Sequence, residues 1–185
     1  MTAEYECPYQ AHSPMEPMNA TVWVKDNDSI EAWLPTQSGQ RARAEMAELT
    51  GIPLDKIVVH VTFLGGGFGR RSLQDFATEA THLSIATRRP VKTIWTREDD
   101  TAQGPFRPAT LNVFTAGFDK DKNLTSFKNH IITQIIGHQW PGANTKRIGG
   151  GTYEGAYWNY NFNNYIQAGT SVQLPIPIWY WRSVY

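Results

Sequence analysis

The sequence predicts an α+β fold: a mixed β-sheet with two amphipathic helices packed on one face as two layers, followed by a β-hairpin-rich second part. Three observations predict it. Apolar residues recur at helical spacing over Ser38–Thr50 and over Leu73–Thr87. Short β-branched and aromatic runs bounded by turn residues lie on both sides of these stretches. Two pairs of alternating runs flank compact polar turns, one at Asn27-Asp28 and one at Asp119–Asn123.

Residues 1–20 hold Pro8, Pro14 and Pro17 and read as extended or looped. Thr21–Val24 and Ile30–Leu34 form the arms of the first hairpin. The first helix, Ser38–Thr50, turns Ala42, Met46 and Leu49 inward and stops at Gly51. Pro53–Lys56 is a turn, and Ile57–Leu64 reads as a buried strand. The second helix directs Phe76, Ala80 and Leu83 inward. After the turn at Arg88-Arg89-Pro90 comes the strand Val91–Trp95, completing a β-β-α-β-α-β order. The polar, turn-rich stretch from Thr96 to Pro108 is the candidate seam between subdomains, centred on 97–108. Beyond it, Thr110–Phe118 and Leu124–Ile136 form the second hairpin, residues 137–164 an ordered loop without period, and Tyr165–Gln173 a last strand.

With 185 residues, 41% of them apolar, the chain has the size of one domain or a tight pair of subdomains. Its 17 basic and 17 acidic residues balance, which argues against a nucleic-acid binder. No apolar run is long enough for a membrane span, and no secretory leader is visible. Cys7, the only cysteine, cannot by itself hold an iron–sulfur cluster or a zinc ion, and reads as a small buried apolar residue.

The most informative stretch is Val58–Arg71, where an apolar run leads into Gly65-Gly66-Gly67-Phe68-Gly69 and then Arg70-Arg71. Glycine permits positive φ and close approach of backbone to a ligand, and successive N–H groups can converge on an anion. Ser72-Leu73-Gln74-Asp75 fits a capping box, which would place the loop between a strand end and a helix N-terminus. A phosphate-binding Walker loop requires a lysine where Arg70 follows Gly69, and the dinucleotide fingerprint G-x-G-x-x-G requires a glycine at position 70. Neither is met, and a ligand-free tight turn remains the alternative for the loop taken alone.

Three blocks in order carry a resemblance to a known family: Tyr9-Gln10-Ala11-His12-Ser13-Pro14-Met15-Glu16-Pro17-Met18-Asn19-Ala20-Thr21, Gly65–Arg71, and Trp181-Arg182-Ser183-Val184. Trp33–Gln37 and Arg89–Asp99 add to it. The chain resembles part of the molybdenum-binding large subunit of the xanthine dehydrogenase/aldehyde oxidase superfamily, nearest to the isoquinoline 1-oxidoreductase β-subunit branch. It covers a fraction of such a subunit, so the expectation is a molybdopterin-binding domain fragment over residues 1–185.

The resemblance implies a bacterial oxidoreductase that hydroxylates aldehydes or N-heterocycles with water-derived oxygen, in the cytoplasm or periplasm. Its cofactor would be molybdopterin cytosine dinucleotide with molybdenum, bound by Gly66, Gly67, Phe68, Gly69 and Arg70, with no protein side chain as metal ligand. In that scheme the glutamine matching Gln10 hydrogen-bonds an oxo ligand of the metal, and the arginine matching Arg182 orients substrate. Amide, backbone N–H and guanidinium are suitable donors where negative charge builds. Partners would be an iron–sulfur small subunit and the remainder of the large subunit. The family's common loop continues with lysine and glutamate where this chain has Arg70-Arg71, which fits the isoquinoline-type branch. The family's catalytic glutamate lies in a later segment that this chain does not contain, so the fragment alone is expected to be inactive and without cofactor.

Other candidates weigh less. His12 and Glu16 have the spacing of helical metal ligands, but Pro14 and Pro17 forbid the helix. Glu98-Asp99-Asp100 reads as a solvated turn rather than a cation site. Tyr153, Tyr157, Trp158, Tyr160, Phe162 and Tyr165 suggest an alternative: a non-catalytic carbohydrate- or protein-binding module built on the aromatic-rich C-terminal third.

Overall fold

The computed structural model describes residues 1–139, 144, 145, 148, 152 and 163–182. In chain order its elements are β1 (Thr2–Cys7), β2 (Asn19–Lys25), β3 (Ser29–Leu34), α1 (Gly39–Thr50), β4 (Ile57–Val61), α2 (Asp75–Thr87), β5 (Val91–Ile94), α3 (Arg97–Ala102), β6 (Thr110–Phe118), β7 (Leu124–Thr133) and β8 (Asn164–Ser171). Ala11–Gly104 forms one unit; Met1–Gln10 and Pro105–Tyr185 form another. Together they give the α+β class with two mixed sheets.

In the Ala11–Gly104 unit the sheet order is β4-β3-β2-β5. The hairpin β2–β3 is antiparallel, and its turn sits one residue earlier than the sequence suggests. Asp26 and Asn27 carry φ of 50° and 56°, and the Asp28 N–H donates to the Lys25 carbonyl at 2.8 Å. Two successive left-handed residues match the right-handed twist of the arms, and Asp and Asn tolerate them best. The arms alternate cleanly: Ala20, Val22, Val24, Ile30, Ala32 and Leu34 are buried under the helices, with Trp23 and Trp33 on the other face.

Helix α1 buries Ala42 and Met46 and ends at Gly51, whose φ of 74° lets its N–H return to the Ala47 carbonyl. Helix α2 corrects the expected inward stripe. Phe76, Ala77, Ala80, Thr81 and Ser84 are buried, while Leu83 is exposed. Ser84 displaces an apolar residue there for a reason: its hydroxyl accepts from the Val24 N–H at 2.9 Å and donates to the Arg89 carbonyl at 2.8 Å. A buried backbone donor at the end of β2 thereby gains a partner.

Strand β4 is a second correction. It runs parallel to β3 at the sheet edge and ends at Val61, with Val58, Val61 and Phe63 exposed, where a fully buried strand to Leu64 was expected. A third concerns Thr96–Pro108, which contains α3. Thr96 Oγ1 accepts from the Asp99 N–H and Asp99 accepts from the Thr96 N–H, a capping box that starts a helix inside the polar run. Asp100 is correspondingly 3% exposed and not part of a solvated turn.

In the other unit the sheet order is β1-β6-β7-β8, with β7 and β8 parallel. Strand β1 pairs antiparallel with β6 from Thr2↔Thr115 to Cys7↔Thr110. The β6–β7 turn is closed by Asp119, whose carboxylate accepts from the N–H groups of Asp121 and Asn123. Phe127, Asn129, Ile131 and Thr133 bury one face of β7. The expected loop over 137–164 falls largely outside the described residues, as do Tyr153, Tyr157, Trp158, Tyr160 and Phe162. Tyr165 lies on β8 and stacks on Phe127 at 6.2 Å between ring centroids.

Candidate functional site

Strands β3 and β4 run parallel, so their C-terminal ends emerge side by side. Loops leaving the carboxyl ends of adjacent parallel strands are favoured places for ligands. Here they are Pro35-Thr36-Gln37 after β3 and Thr62–Gly69 after β4, tied at their start by the Thr62 N–H on the Leu34 carbonyl at 3.0 Å.

The glycine loop is shaped by two polar side chains. Gln37 Oε1 accepts from the N–H groups of Gly69 at 3.1 Å and Arg71 at 3.2 Å. Its own N–H donates to the Arg71 carbonyl at 3.0 Å. Glu16 holds the other end: Oε2 accepts from the Gly65 N–H at 2.9 Å, and the Glu16 N–H donates to the Gly65 carbonyl at 3.2 Å. Between these anchors the chain turns through left-handed backbone at Gly66, Phe68 and Gly69, with φ of 96°, 51° and 96°. A phenylalanine in that region is strained, by about 1–2 kcal/mol.

Two of the glycines are required by space. A Cβ on Gly65 would fall 2.6 Å from the Glu16 Cβ, and one on Gly67 would fall 2.4 Å from Gln37 Oε1. The outcome is a tight turn with the Phe68 ring packed over Gly66 and the Gln37 side chain packed over the buried Gly67. Among the described residues the N–H groups of Gly66, Gly67 and Phe68 have no protein acceptor. Such donors suit an oxygen-rich, anionic group.

The two arginines face inward. Arg70 is 1% exposed, with both terminal nitrogens 2.8 Å from the Asp75 carboxylate oxygens, and its guanidinium lies 5.3 Å from the centre of the Trp95 ring. Arg71 is wholly buried. Its Nε donates to the Gly66 carbonyl, Nη1 to the Pro35 carbonyl, and Nη2 reaches the Glu16 and Pro17 carbonyls and Glu16 Oε2. Burial pulls the Arg71 pKa down from the usual arginine range, and the charges of Glu16 and Asp100 oppose that.

Burial also works to raise the Glu16 carboxyl, but the Gly65 N–H, Asn19, Arg71 and Lys92 outweigh it and hold Glu16 below the ordinary glutamate range. Asp100 goes the other way: burial raises its carboxyl against the attraction of Arg97, Arg70 and Arg71. Its Oδ2 accepts from Arg97 at 2.8 Å while Oδ1 has no hydrogen-bond partner.

Of the residues singled out in the sequence, Gly66, Gly67, Phe68, Gly69 and Arg70 come together in this loop. Gln10 and Arg182 belong to the other unit. Gln10 is exposed and bridges to Arg107, whose N–H donates to the Gln10 carbonyl at 2.9 Å; Arg182 is exposed in a turn. The capping box expected at Ser72–Asp75 is not formed. Ser72 donates its hydroxyl to the Gly69 carbonyl within a single 3-10 turn at Arg70–Ser72, and α2 starts only at Asp75 with no side-chain cap. The loop therefore does not abut a helix N-terminus. Sequence reasoning carried Glu16 and Gln37 within family-like blocks but gave neither a part in the loop, and weighed Glu16 by itself only as half of a rejected metal pair. The available signal for Gln37 was its position just past a buried strand.

A backbone turn with unshared N–H donors, set at the carboxyl ends of two parallel strands, has a geometry that suits an anionic group. The chain belongs to the molybdopterin cofactor-binding domain family, whose family model matches residues 1–170. It is similar to the isoquinoline 1-oxidoreductase subunit beta of Brevundimonas diminuta, 37% identical over 124 residues, 66% of this chain and 16% of that protein. It is similar also to the aldehyde oxidoreductase molybdenum-binding subunit of Escherichia coli K12, 30% identical over 128 residues, 69% of this chain and 17% of that one. Among solved structures, the aldehyde oxidoreductase of Desulfovibrio gigas matches with a TM-score of 0.79 over 100% of this chain and 20% of that chain, at 18% identity, a likeness of fold. Quinoline 2-oxidoreductase from Pseudomonas putida 86 matches with a TM-score of 0.66 at 26% identity, over 72% of this chain and 17% of that one. The chain thus spans about a sixth of the length of the two curated relatives.

Proposed function

We propose that this chain is the portion of a molybdenum hydroxylase large subunit that receives the pterin cofactor, in a parent enzyme oxidising an aldehyde or an N-heterocycle. The observation that carries the reading is the set of N–H groups at Gly66, Gly67 and Phe68, left without protein acceptors while Gln37 and Glu16 fix the backbone on either side. When bound, the molybdenum centre would supply two-electron oxidation of a carbon with oxygen drawn from water. The chain's own residues would do the rest. Backbone donors would hold the cofactor's oxygens, Gln10 would present an amide, and Arg182 would present a planar fork to the substrate.

The cofactor in this reading is the cytosine dinucleotide form. The partners are the remainder of the large subunit, which brings the catalytic glutamate, and an iron–sulfur small subunit that takes the electrons. In this reading the dithiolene of the pterin would hold the metal, with no side chain of this chain as a ligand. No helix of the described residues is long and apolar enough to cross a membrane. The carbohydrate- or protein-module reading has no observation in its favour.

The test is elemental and nucleotide analysis of the full-length parent. About one molybdenum per large subunit, with cytidine monophosphate released on acid hydrolysis, is the expected result. A parent expressed in a molybdenum-competent host that holds neither would overturn the reading.

A further inference from the structure

Residues Pro14–Pro17 form a strip with two prolines, which lack N–H groups and cannot pair as a strand would. Two arginines grip it instead. Arg97 Nη2 donates to the Pro14 carbonyl at 2.7 Å and the Met15 carbonyl at 3.0 Å. Arg71 Nη2 donates to the Glu16 carbonyl at 2.6 Å and the Pro17 carbonyl at 3.2 Å. Four consecutive carbonyls are thus fixed by two guanidiniums, one of them wholly buried.

The strip is in turn the wall of the glycine loop. Glu16 makes a reciprocal pair with Gly65, and its carboxylate takes Arg71 Nη2 at 3.0 Å as well as the Gly65 N–H. Arg71 reaches past it with Nε to the Gly66 carbonyl at 2.9 Å. One face of the turn is therefore wholly consumed: the Gly65 N–H, the Gly65 carbonyl and the Gly66 carbonyl all point at Glu16 or Arg71. A peptide whose carbonyl is held on one side must direct its N–H to the other. The Gly65–Gly66 and Gly66–Gly67 peptides are held this way, so the Gly66 and Gly67 N–H groups point to the side opposite Glu16 and Arg71.

We propose that Glu16 and Arg71 are a positioning pair for the cofactor loop: they bind no ligand themselves, but hold the Gly65 and Gly66 carbonyls inward so that the following N–H groups face the ligand. This rests on the proposed cofactor role of the loop for its purpose, but not for its geometry. Arg71 thus has a use distinct from the phosphate contact that an arginine after glycines suggests.

The experiment uses the full-length subunit, prepared without cofactor from a molybdate-starved host and, separately, loaded. Glu16→Ala, Glu16→Gln and Arg71→Lys are compared with the unaltered protein by amide hydrogen exchange of the peptide covering 64–69 and of α2, and by molybdenum content. Glu16→Ala should speed exchange in the loop peptide by roughly tenfold or more, as loss of a charged hydrogen bond implies for local opening, with α2 protection kept. Glu16→Gln, which still offers an oxygen to the Gly65 N–H, should restore most of the protection. Arg71→Lys should not restore it, because an ammonium cannot span the carbonyls of Gly66, Pro35 and Glu16 at once. Molybdenum content of the loaded samples should follow the same order.

Loop exchange unchanged in Glu16→Ala, or loop and α2 loosened equally in Glu16→Gln, would overturn the positioning role. Loop exchange responding as expected in a parent that never holds molybdenum would leave the pair standing and overturn the cofactor assignment instead.

Discussion

Gln37 Oε1 occupies the space a side chain on residue 67 would need: a Cβ placed on Gly67 would sit 2.4 Å from it. The oxygen cannot simply move aside, because it also accepts from the Gly69 and Arg71 N–H groups. Gly67→Ala should therefore cost the loop those two bonds, about 1–3 kcal/mol. In a Gln37→Ala background the same change should cost far less, since the obstacle and the bonds are already gone. A double-mutant cycle by urea unfolding measures the coupling. Gly51→Ala is the control: it faces open space at φ 74°, so only backbone strain of about 1–2 kcal/mol applies, with no dependence on Gln37.

In the proposed reading Gln10 is the amide that serves the cofactor, whereas Gln37 spends its oxygen on the Gly69 and Arg71 N–H groups. Gln10→Ala in the full-length parent should lower kcat by about 10²–10³, the usual cost of one donor to developing charge, with the fold intact by circular dichroism. Gln37→Ala should lower molybdenum content first, because its oxygen shapes the loop. Wild-type turnover in Gln10→Ala together with a kcat loss at full metal content in Gln37→Ala would move the role from one amide to the other.

Arg182 is exposed beside Trp181 in this structure. If it presents a fork to substrate in the parent, Arg182→Lys should hurt kcat/KM nearly as much as Arg182→Ala, since lysine keeps the charge and loses the planar geometry. Recovery of most activity by lysine would reduce the arginine to a point charge.

Asp100 gives a pH dependence whose sign can be worked out. Burial raises its folded carboxyl pKa, so between the ordinary aspartate range and that higher value the folded chain binds more protons than the unfolded one. Stability from this group is full below the ordinary range and is lost as pH rises through the folded pKa. Asp100→Asn lacks that loss. Its stability relative to the unaltered chain should improve from pH 3.5 to pH 7 by urea unfolding; a flat or opposite trend would show Asp100 to be stabilised as a carboxylate by Arg97.

Much of the fold was legible because each signal was local. The β2–β3 alternation, the Gly51 stop and the Asp119 turn depend on neighbours a few residues away, and all three are present. What escaped depended on distant partners. Thr2–Cys7 alternates Ala3, Tyr5 and Cys7 with Glu4 and Glu6, but the run is short and leads into three prolines, and its strand partner β6 lies about a hundred residues on. Leu83 fitted the helical stripe better than Ser84, yet the Val24 N–H, sixty residues away, selects the hydroxyl. At the candidate site the glycines announced the loop, but Gln37 and Glu16 became visible only once β3 and β4 were seen to pair. Arg70 read as a cofactor contact although Asp75, five residues on, takes both its terminal nitrogens, while the acceptors of Arg71 at Glu16, Pro17 and Pro35 lie far off in sequence.

The parallel pairing of β3 with β4 also has a kinetic consequence. It joins Ile30 to Ile57, with the whole of α1 threaded between them, whereas β2 and β3 close over a turn of three residues. Long-range parallel contacts form late, because the chain between them must be ordered before they repay its entropy. The Gln37 clasp on the glycine loop exists only once that pairing is made. A nascent chain would thus acquire its hairpin and helices first and its ligand-competent turn last, which makes cofactor loading a reporter of completed folding rather than an aid to starting it.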